Sequence, residues 1–329
     1  VAEALRLLLV GAGALGSRHL QSLVRMDALE GPAVGRIDLV EPSADAVATA
    51  LARAAEAAGG RTLPAIATHR DLHGVEGRYD LAIVATGAAP RRAILEALLP
   101  KVELRLLVLE KFLYPNEADY AAADTLLAGT PTIVHTPRSA WPGYAALARR
   151  HGLAERPFVL EATGSDFNLL SNAVHFLDLF RALGGLDAAR IAIEAFAPDG
   201  PARPAKRPGT VETTGALTAR SARGDALIVR SFEVAPGATP LPLRLRLTSA
   251  AGRSEIDEGA RIIAHDGLDG TAREPFALLQ CSEMAPVWRA GLRGEATALP
   301  DHAAASRLHL LWMAAIRPLF PGGGPLPIT

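Results

Sequence analysis

Lysine is nearly absent from this chain: three lysines stand against thirty-one arginines in 329 residues. Cysteine is rarer still. Cys281 alone leaves no partner for an intrachain disulfide and no set of thiols for a thiolate metal cluster, so no metal is expected. No apolar run is long enough to span a bilayer. Net charge is also missing, because 34 basic and 35 acidic residues nearly cancel, which excludes a nucleic-acid or polybasic membrane-surface role. Residues 1–6 carry both charge signs and run into an apolar strand, unlike a leader peptide, so a cytoplasmic protein is expected. What is present is 49% hydrophobic residues, inflated by alanine, in a length that suits about two domains.

The scarcity of lysine makes Lys111 conspicuous. It follows the apolar run from Leu104 to Leu109, immediately after Glu110. Arginine does not give up its proton in a protein, whereas a desolvated lysine can. Lys111 is therefore a candidate proton-transfer residue. The alternative is a surface lysine that merely ends a strand.

The start of the chain suggests what such a lysine would face. An apolar strand, Leu7 to Val10, runs directly into Gly11, Ala12, Gly13, Ala14, Leu15 and Gly16, a G-x-G-x-x-G pattern followed by an amphipathic stretch to Met26. In such a turn the first glycine permits the tight bend. The second lets backbone approach a pyrophosphate, and the third lets the helix pack closely on the strand. A second strand, Ile37 to Val40, ends in Glu41, where a carboxylate meets the adenosine ribose hydroxyls. Glu41 repels a 2′-phosphate, and the following Pro42, Ser43, Ala44 and Asp45 include no arginine to hold one. NAD is expected, with NADP disfavoured.

Apolar strands and helices alternate as far as about Pro137. Strands are expected at Leu81–Ala85, Leu104–Leu109 and Thr132–His135, and helices at Ala44–Ala58, Arg91–Leu99 and Asn116–Leu127. This pattern predicts an α/β Rossmann domain over 1–138, a parallel sheet with helices on both faces. Residues 139–329 read as an α+β domain with a large, mostly antiparallel open sheet. Leu241, Leu243, Leu245 and Leu247 alternate there with polar residues or proline, the period of a strand with one buried face. The Pro- and Gly-rich stretch Pro198–Gly209 carries Arg203, Lys206 and Arg207, and reads as a solvated loop or a lid over an anion.

Between these halves a helix is expected to run to Leu183 and stop at Gly184-Gly185. His175 and Asp178 lie three apart on it and share a face near Asn172. His175 is either a packing residue or an acid–base group oriented by a carboxylate. Arg138, on the crossover from the last parallel strand, could bind a substrate carboxylate or phosphate, or form an ordinary interdomain ion pair. Trp141 could wall a pocket or pack between the domains.

Three places together resemble the glucose–fructose oxidoreductase / inositol dehydrogenase (Gfo/Idh/MocA) family. They are Gly11–His19 as G-x-G-x-x-G-x-R-H, Glu110-Lys111 as the family's Glu-Lys-Pro, and His175-x-x-Asp178 as its H-x-x-D. The resemblance implies an NAD-dependent oxidoreductase acting on a secondary alcohol or ketone of a sugar, polyol or sugar-derived acid. It implies catalytic roles for Lys111 and His175; Asn172, Asp178, Arg138 and Trp141 are candidate substrate contacts beside them. Ala85, Thr86, Gly87, Glu110 and Lys111 join the glycine turn and Glu41 in the implied cofactor set. A homodimer or homotetramer built on the second-domain sheet is also implied. The chain departs from the pattern at three places: Phe112 stands for the usual proline, Gly87 and Arg91 for the usual proline and histidine after the Leu81–Ala85 strand, and Ser171 for an aspartate. The other readings are a catalytically silent NAD-binding sensor on the same fold, or an imine or aldehyde reductase.

Overall fold

Six short strands in the first 135 residues lie parallel in one sheet. A computed structural model describes residues 3–267 and 270–328; Val1, Ala2 and Thr329, which belong to the terminal readings above, lie outside the described residues. The strands are β1 (Leu5–Val10), β2 (Val34–Val40), β3 (Ala65–His69), β4 (Gly77–Val84), β5 (Val102–Glu110) and β6 (Thr132–His135). Their order across the sheet is β3-β2-β1-β4-β5-β6, and every pairing is parallel. Helices α1 (Gly16–Met26), α2 (Ala44–Ala58), α3 (Ala88–Leu98) and α4 (Glu117–Leu126) alternate with the strands. Burial of Leu7–Val10, Leu81–Val84 and Leu106–Leu109 explains why those strands read as unbroken apolar runs. Strand order reverses between β1 and β4, and ligands bind open α/β sheets beyond the carboxyl ends at such a point.

The second unit opens with helix α5 (Pro142–His151), strand β7 (Phe158–Ser165) and helix α6 (Leu169–Gly184). Strands β8 (Ile191–Pro198), β9 (Arg203–Pro204), β10 (Val211–Glu212), β11 (Gly215–Ser221), β12 (Ala226–Phe232), β13 (Arg244–Ser249), β14 (Gly252–Asp257), β15 (Ile262–Gly267) and β16 (Gly270–Pro275) follow. Eight of these form the sheet β16-β15-β14-β13-β7-β12-β11-β8. Only β7 and β12 pair in parallel. Along β7 the burial alternates residue by residue, with Leu160 and Ala162 inside and Glu161 and Thr163 on the other face. The chain closes with α7 (Ala285–Leu292) and α8 (His302–Ile316); among the described residues no helix is long and apolar enough to cross a membrane.

Several expectations need correction. The strand expected from Leu241 begins at Arg244, because Pro242 cannot donate to a ladder. The stretch Pro198–Gly209 contains the short strand β9, which pairs with β10 just beyond it, and its Arg203 is ion-paired with Glu233. Strands β3, β15 and β16 were not anticipated. The compact units also divide differently from 1–138 and 139–329. Arg138 belongs to the second unit, and Leu279–His302 returns to the first, where α7 packs on α1 and on β4 and β5.

Inside the parallel sheet, the carboxylate of Asp38 on β2 is fully buried and gathers Arg6, Arg36, His69 and Tyr79. Burial alone would raise its pKa, but hydrogen bonds from Arg36, His69 and Tyr79 pull it from 3.8 down to about 2. A folded pKa below the unfolded one adds stability that is complete above about pH 4 and disappears as pH falls toward 2. Urea unfolding of the wild type and Asp38→Asn should therefore show a stability gap that narrows by about 2 kcal/mol between pH 5 and pH 2. A gap that stays constant over that range would show that the charge of Asp38 contributes nothing to the cluster.

Candidate functional site

The turn between β1 and α1 can be tested glycine by glycine. Gly11 holds φ +95°, and a Cβ there would sit 3.2 Å from the backbone of Ala85 and from Thr86 Cγ2. A Cβ on Gly16 would lie 2.0 Å from the carbonyl oxygen of Gly11, so no larger residue fits. A Cβ on Gly13 would meet nothing within 4 Å. Gly11 and Gly16 are thus required by the fold itself, whereas Gly13 faces open space, as backbone that approaches a pyrophosphate must. Helix α1 starts at Gly16 with no side chain capping its first turn, which leaves its N-terminal dipole available to an anion. Ala14 and Leu15 are exposed on the same turn.

Glu41 stands one residue past β2. Its carboxylate accepts hydrogen bonds from the amides of Ala12 at 2.7 Å and Ser43 at 3.0 Å. Each oxygen keeps a second lone pair for a hydroxyl. Ser43 is occupied as the N-cap of α2, accepting from Ala46 N. The unanticipated strand β3 adds one cation: Arg70 follows His69, whose carbonyl accepts the Glu41 amide. Ala85, Thr86 and Gly87 leave β4 beside the turn, with Ala85 N bonded to Val10 O at 2.8 Å.

At the end of β5, Glu110 and Lys111 point the argument in different directions. Glu110 is buried, and its Oε1 lies 2.6 Å from both His19 Nε2, on α1, and His135 Nδ1, at the end of β6. Burial opposes its ionisation, yet the two histidines hold its carboxyl well below the usual range. Burial likewise lowers the pKa of His19, but Cys281 and Glu110 raise it further, and the net shift is upward. The carboxylate proposed for the cofactor set is thus committed to two buried imidazoles. Lys111 next to it is half-buried, and its bond to Phe112 is cis.

Arg91 explains what holds the Lys111 backbone. It is fully buried on α3, and its guanidinium donates to the carbonyls of Phe112, Leu113 and Thr86. It therefore ties the strand end that carries Lys111 to the one that carries Ala85–Gly87. Burial pushes its pKa down to about 10. The residue that departs from the family pattern is thus a backbone clamp.

In the second unit, α6 carries His175 and Asp178, both buried. Asp178 Oδ1 accepts from Arg181 Nε at 2.8 Å. Asn172 donates to Phe167 O at 2.8 Å. Glu212, which the sequence did not single out, caps this helix by accepting from the amides of Leu170 and Ser171. Arg138 forms a bidentate ion pair with Glu258, two bonds of 2.8 Å, and Tyr144 donates to the same carboxylate at 2.6 Å. Arg138 and Glu258 both lie in the second unit, so this pair is not the interdomain one. Trp141 stacks on Tyr144 with centroids 5.9 Å apart and meets Phe276 edge-on, so it packs.

No protein-family model and no curated protein matches the sequence. Solved structures do match the fold. A levoglucosan dehydrogenase in complex with NADH and levoglucosan shares 16% identity over 96% of this chain and 97% of its own, with a TM-score of 0.72. The UDP-N-acetylglucosamine 3-dehydrogenase GnnA from Acidithiobacillus ferrooxidans shares 15% over 95% and 97%, at 0.67. An oxidoreductase from Agrobacterium radiobacter in complex with NAD+, L-tartaric acid and magnesium shares 15% over 99% of both chains, at 0.69. The chain has the fold of these proteins, a Rossmann-type domain followed by a domain with a large, mostly antiparallel sheet.

If Arg91 is the clamp described, Arg91→Lys should cost about 3 kcal/mol in urea unfolding, because a point ammonium cannot span three carbonyls and leaves buried acceptors unmet. A variant as stable as wild type would remove that role.

Proposed function

We propose that this chain is an NAD-dependent oxidoreductase that moves hydride between the nicotinamide and a secondary alcohol or ketone of a sugar, polyol or sugar-derived acid. The observation that carries the reading is the arrangement at the carboxyl ends of β1, β2, β4 and β5. A glycine turn with open space at Gly13, the Glu41 carboxylate, the Ala85–Gly87 turn and Lys111 all stand at the ends where such a sheet binds its ligand. The solved structures of the same fold that hold NADH with levoglucosan, or NAD+ with L-tartaric acid, support both the cofactor and the substrate class.

The turn from Gly11 to Gly16 would hold the pyrophosphate on the first amides of α1, and Glu41 would accept the hydroxyls of the adenosine ribose. Bound there, the dinucleotide supplies the hydride acceptor or donor. Lys111 takes the substrate hydroxyl proton at Nζ as hydride leaves the carbon, and returns it in the reverse direction. In the second unit, His175 would be the alternate acid–base group, with Asn172 and Asp178 as its positioning residues. Arg138 and Trp141 act through packing, since Glu258 occupies the one and Tyr144 the other.

NAD(H) should bind at least about tenfold more tightly than NADP(H), because a repelled phosphate costs more than about 1.4 kcal/mol. Calorimetric titration of both dinucleotides tests this, and Glu41→Ala should narrow the gap. Equal affinities would remove the preference and point to Arg70 as a phosphate ligand. Lys111→Arg should bind NADH within a few-fold of wild type while turnover on a sugar or polyol substrate falls by about a hundredfold or more. Wild-type turnover in that variant would take Lys111 out of the mechanism.

The reading extends to self-association through the outer face of the eight-stranded sheet. Phe232 and Leu241 are 41% and 55% exposed and line a depression there with Thr163, Arg230 and Arg244. Light scattering should show a dimer or tetramer at micromolar concentration; a monomer would remove this part and leave the chemistry standing.

A further inference from the structure

His19, Glu110, His135 and Cys281 bring one donor atom each within 4.8 Å of one another. None of the four is needed as an acid or base by the proton chemistry above, and all belong to the first unit. We infer that they form a tetrahedral binding site for a single Zn2+ ion, held by two imidazoles, one carboxylate and one thiolate. This goes beyond the oxidoreductase reading and does not depend on it.

The donor set is chemically suited. Imidazole, thiolate and carboxylate are the ligands zinc takes in proteins, at about 2.0–2.3 Å. Such bonds place tetrahedral ligand atoms about 3.3–3.8 Å apart. Glu110 Oε1 now lies 2.6 Å from a nitrogen of each histidine, so each of those separations would widen by about 0.7–1.2 Å around a cation. The rings of His19 and His135 already meet edge-on, with centroids 4.7 Å apart. Both histidines and Glu110 are buried, and ligands taken from water in advance favour a cation.

Cys281 is partly exposed at the edge of the cluster, with Sγ near Leu15 O at 3.9 Å, and provides the side from which an ion enters. With all four positions filled by protein the site would be structural rather than catalytic. It would pin the returning segment Leu279–His302 to α1 and to the ends of β5 and β6.

The full chain would be stripped with chelator, incubated with Zn2+ alone, desalted and assayed by elemental mass spectrometry. About one zinc per chain is expected for wild type. Cys281→Ser and His135→Ala should each weaken binding by about a hundredfold or more, with circular dichroism confirming that they fold. Cys281→Ser keeps the size of the side chain, so the inference stays testable even if His135→Ala does not fold. With Co2+, wild type should show a thiolate-to-cobalt charge-transfer band that Cys281→Ser lacks. Zn2+ should also slow alkylation of Cys281 by iodoacetamide. Substoichiometric zinc in wild type, binding indifferent to Cys281→Ser, or alkylation indifferent to Zn2+ would each overturn the site. Activity toward any sugar plays no part in these readouts.

Discussion

A single carboxylate oxygen, Glu110 Oε1, receives both His19 and His135 in the interior of the first unit. His19 sits three residues past Gly16 on α1, and Lys111 is the next residue after Glu110. The carboxylate therefore couples the helix that opens at the glycine turn to the strand end that carries the lysine, and β6 is tied in through His135. Unpairing Glu110 would leave a buried charge, so its partners are under strong constraint. The position of Lys111 relative to the glycine turn is consequently set by buried chemistry rather than by the surface loop in which it stands.

A second constraint acts on the other side of Lys111. Phe112 and Arg91 stand where the resembling pattern has proline and histidine, and the two positions touch: the Arg91 guanidinium holds the carbonyls of Phe112 and Leu113. An arginine fork can bind several carbonyls at once where an imidazole cannot. Arg91 thereby fixes the backbone beyond the lysine.

What was legible in the sequence follows from where side chains point. Strands β1, β4 and β5 are buried on both faces and announce themselves as apolar runs, and the glycine turn shows in its spacing because Gly16 admits no other residue. Strand β3 escaped because Ala65–His69 is a short sheet edge with mixed exposure, and β16 because every residue from Gly270 to Pro275 is exposed. The return of Leu279–His302 to the first unit left no local trace, since contacts such as Arg25 Nη1 to Ser282 O join residues 257 apart. The same is true of the cluster at Glu110, whose four members are scattered from residue 19 to residue 281. Arg138 was ambiguous for a different reason: a guanidinium reads alike whether it awaits a substrate anion or, as here, already holds Glu258.

The skew from lysine to arginine also acquires a physical reading. Many of the arginines donate to main-chain carbonyls rather than only to carboxylates. Arg25 reaches Ser282 O, Arg105 reaches Leu292 O, Arg289 reaches Met26 O, and Arg223 reaches both Ala154 O and Gly184 O. Such contacts need a planar group with several donors that stays charged when buried, which lysine does not provide. Burial lowers the pKa of Arg289, yet a guanidinium starts so high that it remains a cation. In a chain where arginine takes over this structural work, Lys111 stands apart as a half-buried lysine next to the buried Glu110 at the end of β5.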